Sequence, residues 1–209
     1  MEVTTKNKKI SLNTLLKIAM LSVIAFILMQ VEFSLSFLFP SFLKLDISDI
    51  PALLGGLALG PIPGVLILLF KNIINGVLST STGFVGEIAN FSVGVFYIFI
   101  ASYLYNKYKS KKSLIIGLVV GTLVMSVVAG VLNYYFFIPA FSKVLGYPID
   151  AFIGMANAIN KNVNTFKALI YWCIIPFNLL KGLLVSIVYM LMHNKLLPII
   201  KKETFRRVK

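Results

Sequence analysis

Charge is scarce in this chain of 209 residues, and acidic charge is scarcer still: Asp, Glu, Lys and Arg make up 13% of it, with 7 acids against 20 bases. A soluble domain carries about 25% charged side chains. So small a polar complement cannot cover 58% hydrophobic residues in water, and lipid is the solvent that demands no such cover. There is one Cys, one His and one Trp. A single cysteine, Cys173, forms no internal disulfide, and its apolar setting does not report a redox compartment. His193 stands at the end of an apolar segment among basic residues, where a topological role is the simpler reading. Trp172 reads as an interface anchor. The chain has no Gly-x-x-x-x-Gly-Lys-Ser/Thr, no His-Glu-x-x-His, no Cys–His cluster and no Gly-x-Ser-x-Gly. Each is a motif whose chemistry needs those residues at that spacing. Their lack disfavours ATP hydrolysis and intramembrane catalysis, and favours binding or transport.

A net charge of +13 could suggest nucleic acid. The bases, however, gather in short clusters at the ends of apolar segments, where topology signals belong. The first ten residues are polar and basic, and no small-residue cleavage site follows the first apolar run. That run reads as a retained helix. Apolar segments cover about 15–38, 51–59, 65–78, 85–105, 114–138 and 168–192. The second and third are parted by Gly60-Pro61-Ile62-Pro63-Gly64, which stops one helix and starts another. The first arm of that hairpin is short for a span of roughly 20 residues. Pro139 is expected to stop the fifth segment, and a less apolar loop rich in Asn (157, 160, 162, 164) to follow. Basic residues concentrate on the cytoplasmic side. The three basic sites are the N-terminus, the Lys107–Lys112 cluster and the C-terminus. Both ends inside requires an even number of crossings, so the reading is an all-α polytopic membrane protein. It is one domain over 1–209, with six transmembrane helices and basic cytoplasmic tails at 1–14 and 195–209. Loops 38–50, 79–86 and 140–167 then lie outside. No repeat relates the two halves, which leaves the inverted repeats of many carriers unsupported.

Polar groups at membrane depth are costly and point to sites or to packing. Glu87 opens the fourth segment, as a helix-dipole cap or as an acceptor aimed into an external pocket, with Asn90 one turn on. Asn133 lies among aromatics in Leu132-Asn133-Tyr134-Tyr135-Phe136-Phe137. Such an amide suits the edge of a flat heteroaromatic ring, or an interhelical hydrogen bond. Asn178 and Lys181 follow Pro176 at a spacing of three and share a helix face. Lys181 is too deep to snorkel cheaply. It either pairs with Glu87 or contacts a ligand beside Asn178. Asp46 and Asp49 are solvated loop charges or caps, or part of a lid. Lys71 has no evident partner in sequence and is read as facing a polar interior or an interface. Ala19, Ser22 and Ala25 form a stripe of small residues that permits close approach of another helix, within this chain or in a partner.

Together these stretches resemble a known family. Lys44-Leu45-Asp46-Ile47-Ser48-Asp49-Ile50-Pro51 through Gly60-Pro61, Ser81-Thr82-Gly83 through Gly86-Glu87-Ile88-Ala89-Asn90-Phe91, Gly121-Thr122 through Asn133-Tyr134-Tyr135, and Pro176-Phe177-Asn178-Leu179-Leu180-Lys181-Gly182 are similar to the riboflavin-specific substrate-binding (S) components of energy-coupling factor (ECF) transporters. The resemblance implies six helices with cytoplasmic termini, no enzymatic activity, and riboflavin, or its phosphate FMN, as transported ligand rather than cofactor. It implies a prokaryotic plasma membrane setting. It also implies a partner module of a transmembrane coupling protein and two ATP-binding subunits. The ligand-binding residues it implies are Glu87, Asn133, Asn178 and Lys181, with Lys44, Leu45 and Asp46 in the covering loop. The small residues Ala19, Ser22 and Ala25 would contact the coupling protein, although their spacing of three departs from Ala-x-x-x-Ala. The rival readings are an S component for another vitamin and a solitary ion-coupled carrier that titrates Glu87 and Lys181.

Overall fold

The computed structural model describes residues 11–201; the lysines and arginines at 6, 8, 9, 202, 206, 207 and 209 lie outside them. Ser11 caps the first helix, α1 (Leu12–Met29), by accepting a hydrogen bond from the Thr14 backbone N–H. A helix whose apolar positions begin at Leu12 thus replaces the last residues of the expected 1–14 tail. After it, two short antiparallel strands, β1 (Phe33–Ser34) and β2 (Lys44–Leu45), pair Phe33 with Leu45 and Ser34 with Lys44. This small ribbon is the one departure from an all-α architecture among the described residues.

The Gly-Pro hairpin forms as its residues dictate. Gly60 takes a φ of 117° between α2 (Asp49–Leu59) and α3 (Pro61–Leu78). Pro61 opens α3 at a position where a missing N–H costs nothing. Gly64 lets the arms meet: a Cβ there would fall 2.6 Å from the Gly56 Cα and 2.9 Å from the Ala52 carbonyl oxygen. α2 has 11 residues, about 16 Å at 1.5 Å per residue, and is buried over most of its length. It is the core of the bundle rather than a full crossing. Among the described residues, five helical stretches are long and apolar enough to cross a membrane: Leu12–Met29, Pro61–Leu78, Val85–Tyr108, Lys111–Leu145 and Phe166–Lys201. Two shorter apolar helices, Asp49–Leu59 and Ile149–Ile159, accompany these five.

α4 (Val85–Tyr108) runs along α5 (Lys111–Leu132). The two close tightly where a Cβ on Gly117 would meet the Ala101 backbone at 3.0 Å. Pro139 does not end the fifth segment. The helix widens into a π turn at Asn133–Phe137, continues as α6 (Ile138–Leu145), and stops at Gly146 with φ 72°. A widened turn relieves the clash between a proline ring and the preceding turn. The same device recurs after α7 (Ile149–Ile159) and α8 (Phe166–Leu169). There a π turn at Ile170–Ile174 precedes Pro176 in α9 (Ile175–Lys201). The expected loop at 140–167 is thus largely helical. α9 also extends through residues 195–201, expected as tail, because Leu197 is buried there. The Lys17 ammonium donates to the Ile200 carbonyl at 2.7 Å, which ties the first helix to the last.

Ser22 and Ala25 face the interior, with the Ser22 hydroxyl satisfied by the Ile18 carbonyl at 2.8 Å, whereas Ala19 is exposed. The stripe divides because three residues advance a helix by only 300°, so the line drifts around the axis.

Gly64→Ala should lower the unfolding temperature in detergent by several degrees, since the atoms it meets are backbone and an overpacked contact costs about 1–3 kcal/mol. Gly154→Ala is the control, because nothing lies within 4 Å of its Cβ position. Equal melting of the two variants would contradict the packing described.

Candidate functional site

A cavity of about 440 Å³ lies at the end of the bundle where α1 and α3 finish and α4 and α9 begin. That volume is in the range of small-molecule sites, about 300–1,000 Å³. The segment 42–49 contributes Phe42, Leu43, Lys44, Asp46 and Asp49 to its lining.

One side is electrostatic. Within the sequence Asp46-Ile47-Ser48-Asp49, Asp46 accepts from the Ser48 backbone N–H at 2.8 Å and from the Ser48 hydroxyl. This is a local turn that Asp and Ser favour. Lys181 of α9 donates to Asp46 Oδ2 at 3.0 Å and lies 3.5 Å from Asp49 Oδ2. Lys71 of α3 donates to Asp49 Oδ1 and to Ser48 Oγ, each at 2.5 Å. The five side chains close a ring, Lys71–Asp49–Lys181–Asp46–Ser48, and all five are buried. Burial by itself would raise the Asp46 carboxyl. The Lys181 ammonium, then the Lys71 ammonium and the Ser48 hydroxyl, overcome that and hold it well below the usual carboxylate range. Two sequence readings are corrected. Asp46 and Asp49 are neither solvated loop charges nor simple caps. Lys181 pairs with them and not with Glu87, so the titrating pair required by a solitary carrier is not formed. Lys71 has the polar interior expected of it.

A second part of the lining is a relay of uncharged donors onto one carboxylate. Gln30 Nε2 donates to Asn75 Oδ1 at 2.8 Å, and Asn75 Nδ2 donates to Glu87 Oε1 at 2.8 Å. The Thr80 and Thr82 hydroxyls each donate to Glu87 Oε2 at 3.2 Å. Glu87 is buried and enters α4 from a turn in which Gly83 (φ 56°) and Phe84 (φ 68°) are both left-handed. A non-glycine residue there is strained by about 1–3 kcal/mol. The Phe84 ring occupies the space beside Gly76, where a Cβ would come within 2.4 Å of it. Asn90 also lines the cavity. Asn72, behind it, donates to the Leu68 carbonyl at 2.8 Å and leaves its own buried Oδ1 without a partner.

Asn133 and Asn178 face the cavity from the helices that carry the π turns. Each amide donates one hydrogen bond to its own helix at 2.8 Å, to Ala129 and Ile174 respectively. The carbonyl and second N–H of each remain for a ligand. The aromatics next to Asn133 in sequence do not form the pocket. Tyr135 and Phe136 are exposed and Tyr134 stacks on Phe166 at 4.8 Å, because consecutive helical residues point to different faces. Phe42, Phe141, Phe152 and Phe177 supply the apolar walls instead. Lys44 lies at the rim and pairs with Glu32. Leu45 does not line the cavity; it is buried with Phe39 and Phe177 and anchors the segment that carries Lys44 and Asp46. Gln30, Asn75, Ser48 and Lys71 were not singled out as site residues from sequence. The triplet Lys71, Asn72 and Asn75 on one helix face within an apolar run was the available signal.

A family model described as "ECF transporter, substrate-specific component" matches residues 13–193. "Riboflavin transporter RibU" of Staphylococcus aureus (strain TCH60) is 37% identical over 188 residues, covering 90% of this chain and 92% of that one. "Riboflavin transporter FmnP" of Bacillus subtilis (strain 168) is 32% identical, covering 90% and 94%. A solved structure of the S component of a bacterial ECF transporter aligns with a TM-score of 0.68 at 36% identity, over 90% of this chain and 98% of that one.

The Asp46 carboxyl binds its proton more weakly folded than unfolded, so its contribution to stability is present above about pH 4 and is lost as pH falls below that value. Thermal stability should therefore decline from about pH 5 to about pH 3. The decline should be shallower in Asp46→Asn/Lys181→Met, which removes the pair while keeping the cluster neutral. Parallel pH profiles would contradict the buried pairing.

Proposed function

The chain belongs to the substrate-specific component family of ECF transporters, and from that premise we propose that it captures riboflavin from outside the cell and presents it to an ATP-driven transport complex. It is a transport component and not an enzyme. The observation that carries the ligand assignment is the convergence of Asn133, Asn178 and Lys181 on one cavity that Phe42, Phe141, Phe152 and Phe177 flank. Isoalloxazine has a flat face for apolar contact and a uracil-like edge that pairs with amides. The ribityl chain needs several hydroxyl partners, for which Glu87, Asn75, Gln30 and Asn90 stand in the same lining. Four carboxylates (Glu32, Asp46, Asp49, Glu87) and two ammonium groups (Lys44, Lys181) line the cavity. That balance suits neutral riboflavin better than FMN, whose phosphate brings further negative charge.

The proposed topology counts the α2–α3 hairpin as two of six segments and places both termini in the cytoplasm of a prokaryotic cell, as the basic ends favour. The cavity then opens outward. The partners are a transmembrane coupling protein and two ATP-binding subunits. Ala19 lies on the exposed face of α1 with Met20, Val23, Ile24 and Ile27, and that face is the proposed contact with the coupling protein. Ser22 and Ala25 support it from within by letting α1 lie close to the bundle.

The purified protein should carry flavin absorbance, or quench riboflavin fluorescence on titration. Asn133→Ala and Asn178→Ala should each weaken binding by tenfold or more, since an unpaired buried polar edge costs about 1–3 kcal/mol. Failure of the wild type to bind riboflavin, or wild-type affinity in both variants, would overturn the proposal.

A further inference from the structure

Lys71 does not line the cavity and is 0% exposed. It nevertheless holds two residues of the 42–49 segment, Ser48 and Asp49. Lys181 is within reach of two carboxylates, Asp46 at 3.0 Å and Asp49 at 3.5 Å. A single ammonium between two buried carboxylates cannot neutralise both, and an uncompensated buried charge is strongly unfavourable. Lys71, at 2.5 Å from Asp49, supplies the missing charge. Its second hydrogen bond orients Ser48, whose hydroxyl and backbone N–H both donate to Asp46.

We propose that Lys71 is a positioning residue for ligand capture: by neutralising Asp49 it leaves Lys181 to Asp46, and so keeps the 42–48 segment seated over the cavity. The two faces of the ring divide the work. Lys71 and Asp49 form the permanent half, joining α3 to the first turn of α2. Lys181 and Asp46 form the half that faces the cavity and connects α9 to the 42–48 segment. Without Lys71 the cluster carries one excess negative charge. Lys181 is then drawn toward Asp49, and Ser48 loses the donor that fixes its hydroxyl. Leu45 and the β1–β2 pairing hold the start of the covering segment, but between β2 and α2 the Asp46 side chain is held by Ser48 and Lys181 alone among the described residues.

The proposal rests on riboflavin being the ligand, and its test separates the two claims. Lys71→Met keeps the side-chain length and removes the charge. It should weaken riboflavin binding by about tenfold or more, mainly through faster dissociation. In the ligand-free protein it should raise hydrogen exchange at the amides of 43–48. Asp49→Asn/Lys71→Met restores neutrality although not the Ser48 donor, and should bring affinity to within about threefold of wild type and exchange at 43–48 most of the way back toward its wild-type rate. A residue that merely filled space would give no such rescue, because the double variant restores charge and not volume. Wild-type affinity and exchange in Lys71→Met, or a double variant no better than the single, would overturn the proposal. If the single variant fails to fold, the double variant decides: it must fold and bind near the wild-type level. If the wild type binds no riboflavin, the functional reading fails and the exchange comparison alone decides the role of Lys71.

Discussion

A ring of two lysines, two aspartates and a serine, buried inside a lipid-embedded bundle, is the constraint on which the rest of this structure depends. Lys71, Asp49, Lys181, Asp46 and Ser48 come from α3, α2, α9 and the segment between β2 and α2. None of the four charged members could be buried alone, since a single ionised group removed from water is several kcal/mol unfavourable even after relaxation. Together they are neutral and share hydrogen bonds. Asp49 sits in the first turn of α2, where the helix dipole also favours a carboxylate. The consequence is geometric: the short α2 is fixed at the centre, and the chain leading into it is fixed across the cavity. The glycine contact between Gly56 and Gly64 lets α3 approach closely enough for Lys71 to reach.

The cavity follows from two further local features. The π turns at Asn133–Phe137 and Ile170–Ile174 let the helices pass Pro139 and Pro176 without breaking. The first begins at Asn133 and the second lies one turn before Asn178, the two asparagines that face the cavity, and π turns recur at functional sites. The left-handed pair Gly83–Phe84 delivers Glu87 into a set of donors from α3 and the turn, Asn75, Thr80 and Thr82. The two parts of the lining thus differ in kind. One presents amides and a shared ammonium, the other a carboxylate already surrounded by donors, which matches a ligand with a heteroaromatic end and a polyol end.

Much of this was legible in sequence because lipid makes strong demands. Long apolar runs, the Gly60-to-Gly64 break and the placement of basic clusters set out the helices. Deep polar residues in those helices pointed to Glu87, Asn133, Asn178 and Lys181. What was not legible was pairing. Asp46 and Lys181 are separated by 135 positions, and no periodicity within either segment says that they meet; Glu87 was as plausible a partner. Lys71 appeared isolated for the same reason. Pro139 reads as a stop because proline breaks an α-helix, and the π turn that accommodates it has no local composition signal. The stripe of Ala19, Ser22 and Ala25 was legible as small residues but not as a split between an outer and an inner face, which depends on where α2 lies.

The most direct test of the central claim is an experimental structure of the protein with riboflavin bound. The account predicts the isoalloxazine between Asn133 and Asn178, the ribityl chain toward Glu87, and the 42–48 segment closed over it with Asp46 still on Lys181. A flavin bound elsewhere, or one in the cavity with Asp46 and Lys181 parted and the segment lifted away, would contradict it.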